Sequence, residues 1–112
     1  MSPKTGRITI SSGQSQSSPL KVISETLVGI YMPAAWDAAD LGFSASPDGT
    51  VYHEVQDIGS PLRVTAAAGQ YIPLDFTKFV GIAYLKVIST AGGSPVNQTA
   101  ERALTPVFRT LG

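Results

Sequence analysis

The sequence contains no cysteine and only one histidine among its 112 residues. Disulfide bonds and thiolate metal sites therefore do not hold the fold, and one imidazole is too few for a typical zinc site. The apolar runs are short and broken by glycine, proline or aspartate, which excludes a helical membrane span and a membrane partner. No apolar run follows the charged N-terminus, so we expect no secretory signal and a chain that stays soluble in the cytosol.

Charge is scarce and balanced. Eight lysine and arginine residues match eight aspartate and glutamate residues, and charged residues make up 14% of the chain. Clustered lysine and arginine drive phosphate binding, and none cluster here, so nucleic acid is excluded as the main partner. With 43% hydrophobic residues, the chain has more neutral surface than a free monomer usually shows, which favours a homo-oligomer or docking on a symmetric lattice.

The clearest local pattern is a β-hairpin over residues 40–56. Its turn is Pro47-Asp48-Gly49, in which proline presets φ, aspartate bonds its own backbone and glycine accepts a positive φ. An isolated hairpin is marginal in water, so further strands must cover its apolar face. The alternating apolar-face positions are Leu41, Phe43 and Ala45 before the turn and Val51, His53 and Val55 after it.

Eight or nine short strands with turn residues between them predict an all-β protein, a two-sheet antiparallel β-sandwich of jelly-roll type. An open barrel is the alternative. Residues 26–32 and 82–89 are predicted as central strands, and residues 33–39 and 75–79 as single helical turns, the second capped by Asp75. Residues 92–99 are predicted as a long polar loop. Pro106 has no N–H to give, which predicts a last strand at a sheet edge or with a bulge.

The N-terminal region differs in composition from the rest. Residues 1–19 contain a long serine- and glutamine-rich tract and are predicted to form a flexible polar arm, with the sandwich domain at residues 20–112. The arm is either a frayed terminus or a segment that adds to a neighbouring subunit. Ile8 and Ile10 favour the second alternative, because a loose tail would leave both side chains unused.

No catalytic pattern is present. His53 lies mid-strand without a nucleophile motif, so we predict a protein that is not an enzyme and that needs no cofactor. Asp37, Asp40, Asp48 and Asp57 are interpreted as solvated turn residues, with a calcium site as the alternative. The Asn97-Gln98-Thr99 sequence matches a glycosylation acceptor, which has no predicted role without a secretion signal.

Four runs carry a family resemblance: VGIYMPAAWDAADLGFSASPDG at 28–49, VTAAAGQYIPL at 64–74, YLKV at 84–87 and PVNQTAERAL at 95–104. Together they resemble a family of small structural proteins of tailed bacteriophages and prophages, over roughly residues 20–110. The resemblance implies a virion protein assembled in the host cytoplasm, most readily a head decoration or cement protein on the major capsid protein or other virion subunits. A second similarity, in the Ser-Pro-Asp-Gly hairpin and the strand count, is to discoidin-like, galactose-binding-type sandwiches.

Two sets of contact residues follow from these alternatives. The alternatives to a decoration protein are a carbohydrate-binding module on a tail fibre or adhesin and a structural tail fibre or connector module. The carbohydrate-binding module would use aromatic platforms at Trp36, Tyr52 and Tyr71, although burial in the core explains the same residues. Trp36 in particular is either a plug for one end of the sheets or an exposed anchor. The residues predicted to contact partners in the virion are Arg7, Ile8, Ile10, Trp36, Pro95, Asn97 and Gln98.

Overall fold

The computed structural model describes residues 4–22 and 25–110, and these form two facing antiparallel sheets. The described strands, in chain order, are β1 (Lys4–Thr5), β2 (Ile8–Ile10), β3 (Leu20–Lys21), β4 (Thr26–Tyr31), β5 (Asp40–Ser46), β6 (His53–Glu54), β7 (Gln56–Asp57), β8 (Ser60–Pro61), β9 (Arg63–Val64), β10 (Tyr71–Pro73), β11 (Tyr84–Ala91), β12 (Ser94–Pro95) and β13 (Arg102–Arg109). One 3₁₀ helix, Phe76–Lys78, follows β10. Position 23, at the end of the strand predicted over 20–23, lies outside the described residues.

The first sheet has the order β1-β13-β4-β10, with β2 beside β1 on β13. The second sheet has the order β12-β11-β5-β6, with β3 also on β11 and β9 also on β5, and β7 and β8 form a separate hairpin. The predicted antiparallel β-sandwich is therefore confirmed, although several predicted strands are split into two-residue pieces. Among the described residues, none belongs to a helix long and apolar enough to span a membrane.

The core lies between the sheets and follows the period of two that strands impose. Leu85 and Val87 of β11 are 1% exposed, whereas Lys86 and Ile88 on its other face are half-buried. Phe43 of β5 is completely buried and packs edge to face on Phe79, with ring centroids 4.9 Å apart. The predicted central strands, β4 and β11, are each paired on both sides.

The N-terminal segment is part of this sandwich. Ile8 pairs with Leu104 of β13, and the Ile8 and Ile10 side chains are 1% and 0% exposed. The Ser17 N–H donates to the Val87 carbonyl, which ties the polar tract to the second sheet. This arrangement corrects the predicted separation of a flexible arm at residues 1–19 from a domain at 20–112, because two buried isoleucines hold residues 4–19 to the same core.

The predicted hairpin at 40–56 is present with one long arm and one short arm. Ser44 and Ala45 of β5 pair with Glu54 and His53 of β6. The Asp48 side chain accepts hydrogen bonds from the N–H groups of Thr50 (2.8 Å) and Val51 (3.2 Å), the self-bonded turn that its sequence predicts. Val51 and His53 are exposed rather than buried, since the second arm lies at the rim of the sheet.

Three local features differ from the sequence-based predictions or refine them. Residues 33–39 form bends and no helical turn, whereas the turn capped by Asp75 is confirmed as the 3₁₀ helix. The start of the predicted loop 92–99 is a two-residue hairpin turn joining β11 to β12, in which Gly92 and Gly93 have φ of 58° and 83°. These angles favour glycine because a side chain at positive φ clashes with the backbone.

Pro106 does not place β13 at an edge. The strand lies inside the first sheet, and its register against β4 shifts between Val107 and Phe108, one residue beyond the proline. The Pro106 carbonyl accepts from the Gly6 N–H, at the gap between β1 and β2. The missing proline N–H is therefore tolerated where the neighbouring strand is itself interrupted.

Candidate functional site

The predicted contact residues do not form one surface. Ile8 and Ile10 are core residues, whereas Arg7, which precedes Ile8, is exposed. Pro95, in β12, and Asn97, two residues after it, are exposed. A partner in the virion therefore cannot contact Ile8 or Ile10 without unfolding the sheet edge.

Gln98 is also excluded as a contact residue, because its side chain is completely buried. Its Oε1 accepts from the Asp37 N–H (2.9 Å) and from Arg102 Nε (3.2 Å). Its Nε2 donates to Ser89 Oγ (2.8 Å) and to the Asp37 carbonyl (3.3 Å). The amide thus joins three segments of the chain and has no group left for a ligand.

Trp36 lies half-buried and combines the two predicted roles. Its ring packs against the core, and its indole N–H donates to the Ala39 carbonyl at 3.1 Å. The remaining surface of the ring lines an open depression of about 420 Å³. The other walls are alanines apart from Asp40, so this depression offers a ligand few polar groups.

The four aspartates predicted as turn residues lie apart in separate contacts. Asp37 binds Arg102 and Thr99, Asp48 caps its own turn and Asp57 binds Lys78 at 2.7 Å. Asp40 begins β5 and lines the depression beside Trp36. No cluster of three or more histidine, aspartate or glutamate residues suitable for a metal occurs in residues 4–22 and 25–110. The calcium alternative therefore has no support from the arrangement of these aspartates.

Hydrogen bonds lower the pKa of three carboxyl groups below the ordinary aspartate value. The Arg102 hydrogen bond is the main cause at Asp37, the Thr50 N–H at Asp48, and the Thr77 hydroxyl at Asp75. The folded protein therefore takes up these protons at a lower pH than the unfolded chain does. This part of the stability is present above the unfolded pKa and is lost as the pH falls through the folded pKa.

We expect acid to destabilise the protein below about pH 4, and the Asp37→Asn variant to lose less of its stability there than the wild type. Melting temperatures measured between pH 7 and pH 2 test this. Arg102→Gln removes the partner instead of the acid and is expected to give the same shallower pH dependence. Curves that run parallel for all three proteins would show that the ion pair is not titrating.

His53 lies exposed on β6 and lines a shallow depression of about 280 Å³ with Ser46 and Ile82. The Ser46 hydroxyl donates to the Asp48 carboxylate at 2.9 Å, and no hydrogen bond joins it to His53 within the described residues. This pair therefore lacks the arrangement of a nucleophile and its base. The absence of enzymatic activity remains a prediction.

The outer side of the first sheet carries a pair of exposed tyrosines. Tyr31 of β4 lies directly opposite Tyr71 of β10, and their ring centroids are 4.5 Å apart with planes tilted by 45°. The side chains are 52% and 43% exposed. We call this side the tyrosine face; its register positions around the pair are Gly29, Pro73, Thr105 and Val107.

The direction of these side chains follows from strand register. Ile30, which precedes Tyr31, is completely buried opposite Ile72 and Pro106. Since neighbours along a strand point to opposite sides, Tyr31 points away from the core. The Tyr71 ring lies over Gly29, where an added β-carbon would come within 2.5 Å of the tyrosine Cζ. Glycine at this position leaves room for the Tyr71 ring.

The hydroxyl groups of the tyrosine face make no hydrogen bonds within the part of the chain that the structure describes. Neither tyrosine hydroxyl, nor the Thr105 hydroxyl, makes a hydrogen bond to another residue in 4–22 or 25–110. They are therefore available to a ligand. An exposed aromatic pair with hydroxyl groups beside it can stack a planar apolar surface and hydrogen-bond at its margin.

The outer side of the second sheet differs in this respect. It holds a depression of about 310 Å³, and most of the polar side chains around it already have partners. Arg63 Nη2 binds Glu54 at 2.7 Å, and the Thr90 hydroxyl donates to the Ser94 carbonyl at 3.0 Å. Tyr52, a predicted platform, lies half-buried next to β6, with Lys86 Nζ 4.4 Å from its ring centroid and its hydroxyl buried without a hydrogen bond among the described residues. This side is therefore a less suitable site than the tyrosine face.

The fold is similar to that of a carbohydrate-binding module. That solved structure is CBM32-1 from a family 31 glycoside hydrolase of Clostridium perfringens. The TM-score is 0.54 at 14% sequence identity, over 92% of this chain and 76% of the other. No family model and no curated protein matches the sequence. The likeness concerns the fold and supports the predicted similarity to discoidin-like sandwiches, but it does not support the predicted phage family.

Sequence reasoning found Tyr71 but missed Tyr31. The sequence of residues 26–32 predicts a strand that is apolar on both faces, so it does not indicate that Tyr31 points outward. The available signal was the spacing of the tyrosine from Ile30, because one of two adjacent strand residues must face outward. The pairing of Tyr31 with Tyr71 was not available, since it depends on register between strands that are far apart in the sequence.

Proposed function

We propose that the protein is a non-catalytic carbohydrate-binding module and that the tyrosine face holds the sugar. The observation that carries this proposal is the exposed pair of Tyr31 and Tyr71, whose hydroxyls have no partner among the described residues. The fold shared with a carbohydrate-binding module supports it. The tyrosine face is also rigid, because both rings stand on sheet strands and not on loops.

The physical basis is the amphipathic character of both partners. The face of a pyranose ring presents C–H groups, which pack on an aromatic ring, while its hydroxyls point sideways to hydrogen-bonding groups. Tyr31 and Tyr71 provide the rings, and Thr105 lies directly opposite Tyr31 on β13. Each stacked ring is expected to contribute about 0.5–1.5 kcal/mol of binding free energy, by analogy with aromatic pairs.

A glycan array tests the proposal. Wild-type protein is expected to bind at least one glycan class, and Tyr71→Ala and Tyr31→Ala each to weaken that binding by up to about tenfold. Gly29→Ala leaves both tyrosines in place but puts a β-carbon where the Tyr71 ring lies, so it is expected to weaken binding as well. Gly29→Ala therefore tests whether binding needs the Tyr71 ring in its observed position, since the ring itself is still present.

Two control variants sharpen the result. Phe76 is 45% exposed on the 3₁₀ helix, close to the exposure of Tyr71, so Phe76→Ala should leave binding unchanged. Trp36→Ala tests the depression at the end of the sandwich. Binding that depends on Trp36 and not on Tyr71 would move the site there, and a folded protein that binds no glycan at all would refute the proposal.

The virion role predicted from the resemblance is the second candidate. The positions around the tyrosine pair, Gly29, Pro73, Thr105 and Val107, are uncharged, which also suits the centre of a protein–protein interface. The major capsid protein or other virion subunits would then be the partner, and the virion the location. Failure on the array together with Tyr71-dependent binding to purified capsids would favour this candidate.

A further inference from the structure

An arginine is in line with the tyrosine pair across the first sheet. β1 and β2 pair with β13 in one continuous register, since Thr5 faces Val107, Gly6 N–H bonds to the Pro106 carbonyl and Ile8 faces Leu104. Arg7 therefore falls opposite Thr105. Thr105 in turn faces Tyr31, and Tyr31 faces Tyr71. We call this line of four positions, Arg7, Thr105, Tyr31 and Tyr71, the Arg7 row.

Arg7 belongs to the outer side of the sheet. Ile8 after it is buried, and a β-carbon on Gly6 before it would meet the Phe108 and Pro106 side chains at 3.3 and 3.7 Å. With both neighbours directed inward, the position between them faces outward, where Arg7 is exposed. Neighbouring strands are about 4.8 Å apart, so the Arg7 row spans about 14 Å, which suits an oligosaccharide better than a single sugar.

The charges of the tyrosine face favour an anion. Arg7 makes no ion pair or hydrogen bond within residues 4–22 and 25–110, whereas Arg63 and Arg102 are bound to Glu54 and Asp37. The paired outer positions of the first sheet that the structure describes hold no aspartate or glutamate. A cation that has no partner among the described residues therefore stands at one end of a row that has two aromatic rings at the other.

We propose that the Arg7 row binds an anionic oligosaccharide, with one sugar stacked on the tyrosine pair and the carboxylate or sulfate of another sugar on Arg7. This inference rests on the carbohydrate-binding function proposed above and specifies its ligand class. The guanidinium fork matches two oxygens of either anion at once, which a lysine cannot do. The preference for an anion is expected to be about tenfold or more in affinity, the usual scale for a hydrogen bond to a charged group.

The test is calorimetric titration at low salt with three probes: tetragalacturonate, its full methyl ester and a sulfated galactan tetrasaccharide. Wild-type protein is expected to bind one of the two anions at least tenfold more tightly than the neutral ester, and the stronger anion identifies the charged group. Arg7→Gln should abolish that preference and leave affinity for the ester within twofold. Arg7→Lys keeps the positive charge but lacks the guanidinium group, so it should retain only part of the preference for the anion.

Lys21 provides the matched control. It is exposed on β3 of the second sheet and, like Arg7, has no partner among the described residues. Lys21→Gln should change none of the affinities. Equal affinity for all three probes, lost in Tyr71→Ala but unchanged in Arg7→Gln, would overturn this inference while the carbohydrate-binding function stands. Absence of binding to these probes and to every arrayed glycan would remove both.

Discussion

Replacing Ile8 and Ile10 together by alanine is expected to lower the free energy of unfolding by roughly 6 kcal/mol, from about 2–5 kcal/mol for each isoleucine. Both side chains are almost completely buried, at 1% and 0% exposure, opposite Leu104 and Arg102 of β13. Because domains of this size are stable by about 5–15 kcal/mol, the double variant should be largely unfolded or melt far below the wild type. Urea unfolding followed by circular dichroism and Trp36 fluorescence measures the change.

The control for this variant is Thr9→Ala. Thr9 lies between the two isoleucines, on the outer side of the same strand, and is half-buried. Thr9→Ala should lower the free energy of unfolding by less than about 1 kcal/mol, the usual range for substitutions outside the core. If the isoleucine double variant were as stable as Thr9→Ala, residues 4–10 would have to be a dispensable arm after all. The two variants therefore distinguish an arm from an integral strand in one experiment.

The features that sequence reasoning predicted correctly are those with a local cause. The hairpin after β5 follows from Pro47-Asp48-Gly49, and the buried face of β11 follows from strict alternation at Leu85 and Val87. The 3₁₀ helix follows from Asp75, whose side chain accepts from the Thr77 N–H at its start. In each case the residues that determine the structure lie within a few positions of it.

The features that were missed depend on distant partners. The polarity of residues 11–18 suggested a mobile arm, but Ile8 pairs with Leu104, 96 positions further along the chain. The average composition of such a segment does not show that two of its residues, both isoleucines, pair with a strand far away in the sequence. The same limit applies to the Arg7 row, since its four positions come from four segments and share a line only through strand register. Arg7 and Tyr71 could be nominated singly, but not as one site.

Gln98 was misjudged for a related reason. An amide in a polar loop is usually solvated, so it was predicted as a contact residue. In the structure the loop folds back onto the N-terminal segment. The Gln98 N–H donates to the Gln14 carbonyl at 2.9 Å, and the Gln98 carbonyl accepts from the Gly13 N–H at 2.7 Å. The side chain is then directed inward, where Ser89 of β11 is also completely buried. Burial of an amide without partners would be costly, and the four hydrogen bonds of this side chain offset that cost.

Gln98→Ala is therefore expected to destabilise the protein by about 3 kcal/mol, because it leaves the Asp37 N–H and the Ser89 hydroxyl without a partner and opens a small cavity. The melting temperature should fall by about 10 °C. Asn97→Ala, one position earlier and exposed, should leave it within about 2 °C. Equal melting temperatures for the two variants would mean that the Gln98 amide does not stabilise this end of the sandwich, and would favour Gln98 as a partner contact instead. The Gln98 amide also binds Arg102, the partner of Asp37. Gln98→Ala should therefore weaken the Arg102–Asp37 ion pair as well and make the stability less dependent on acid pH.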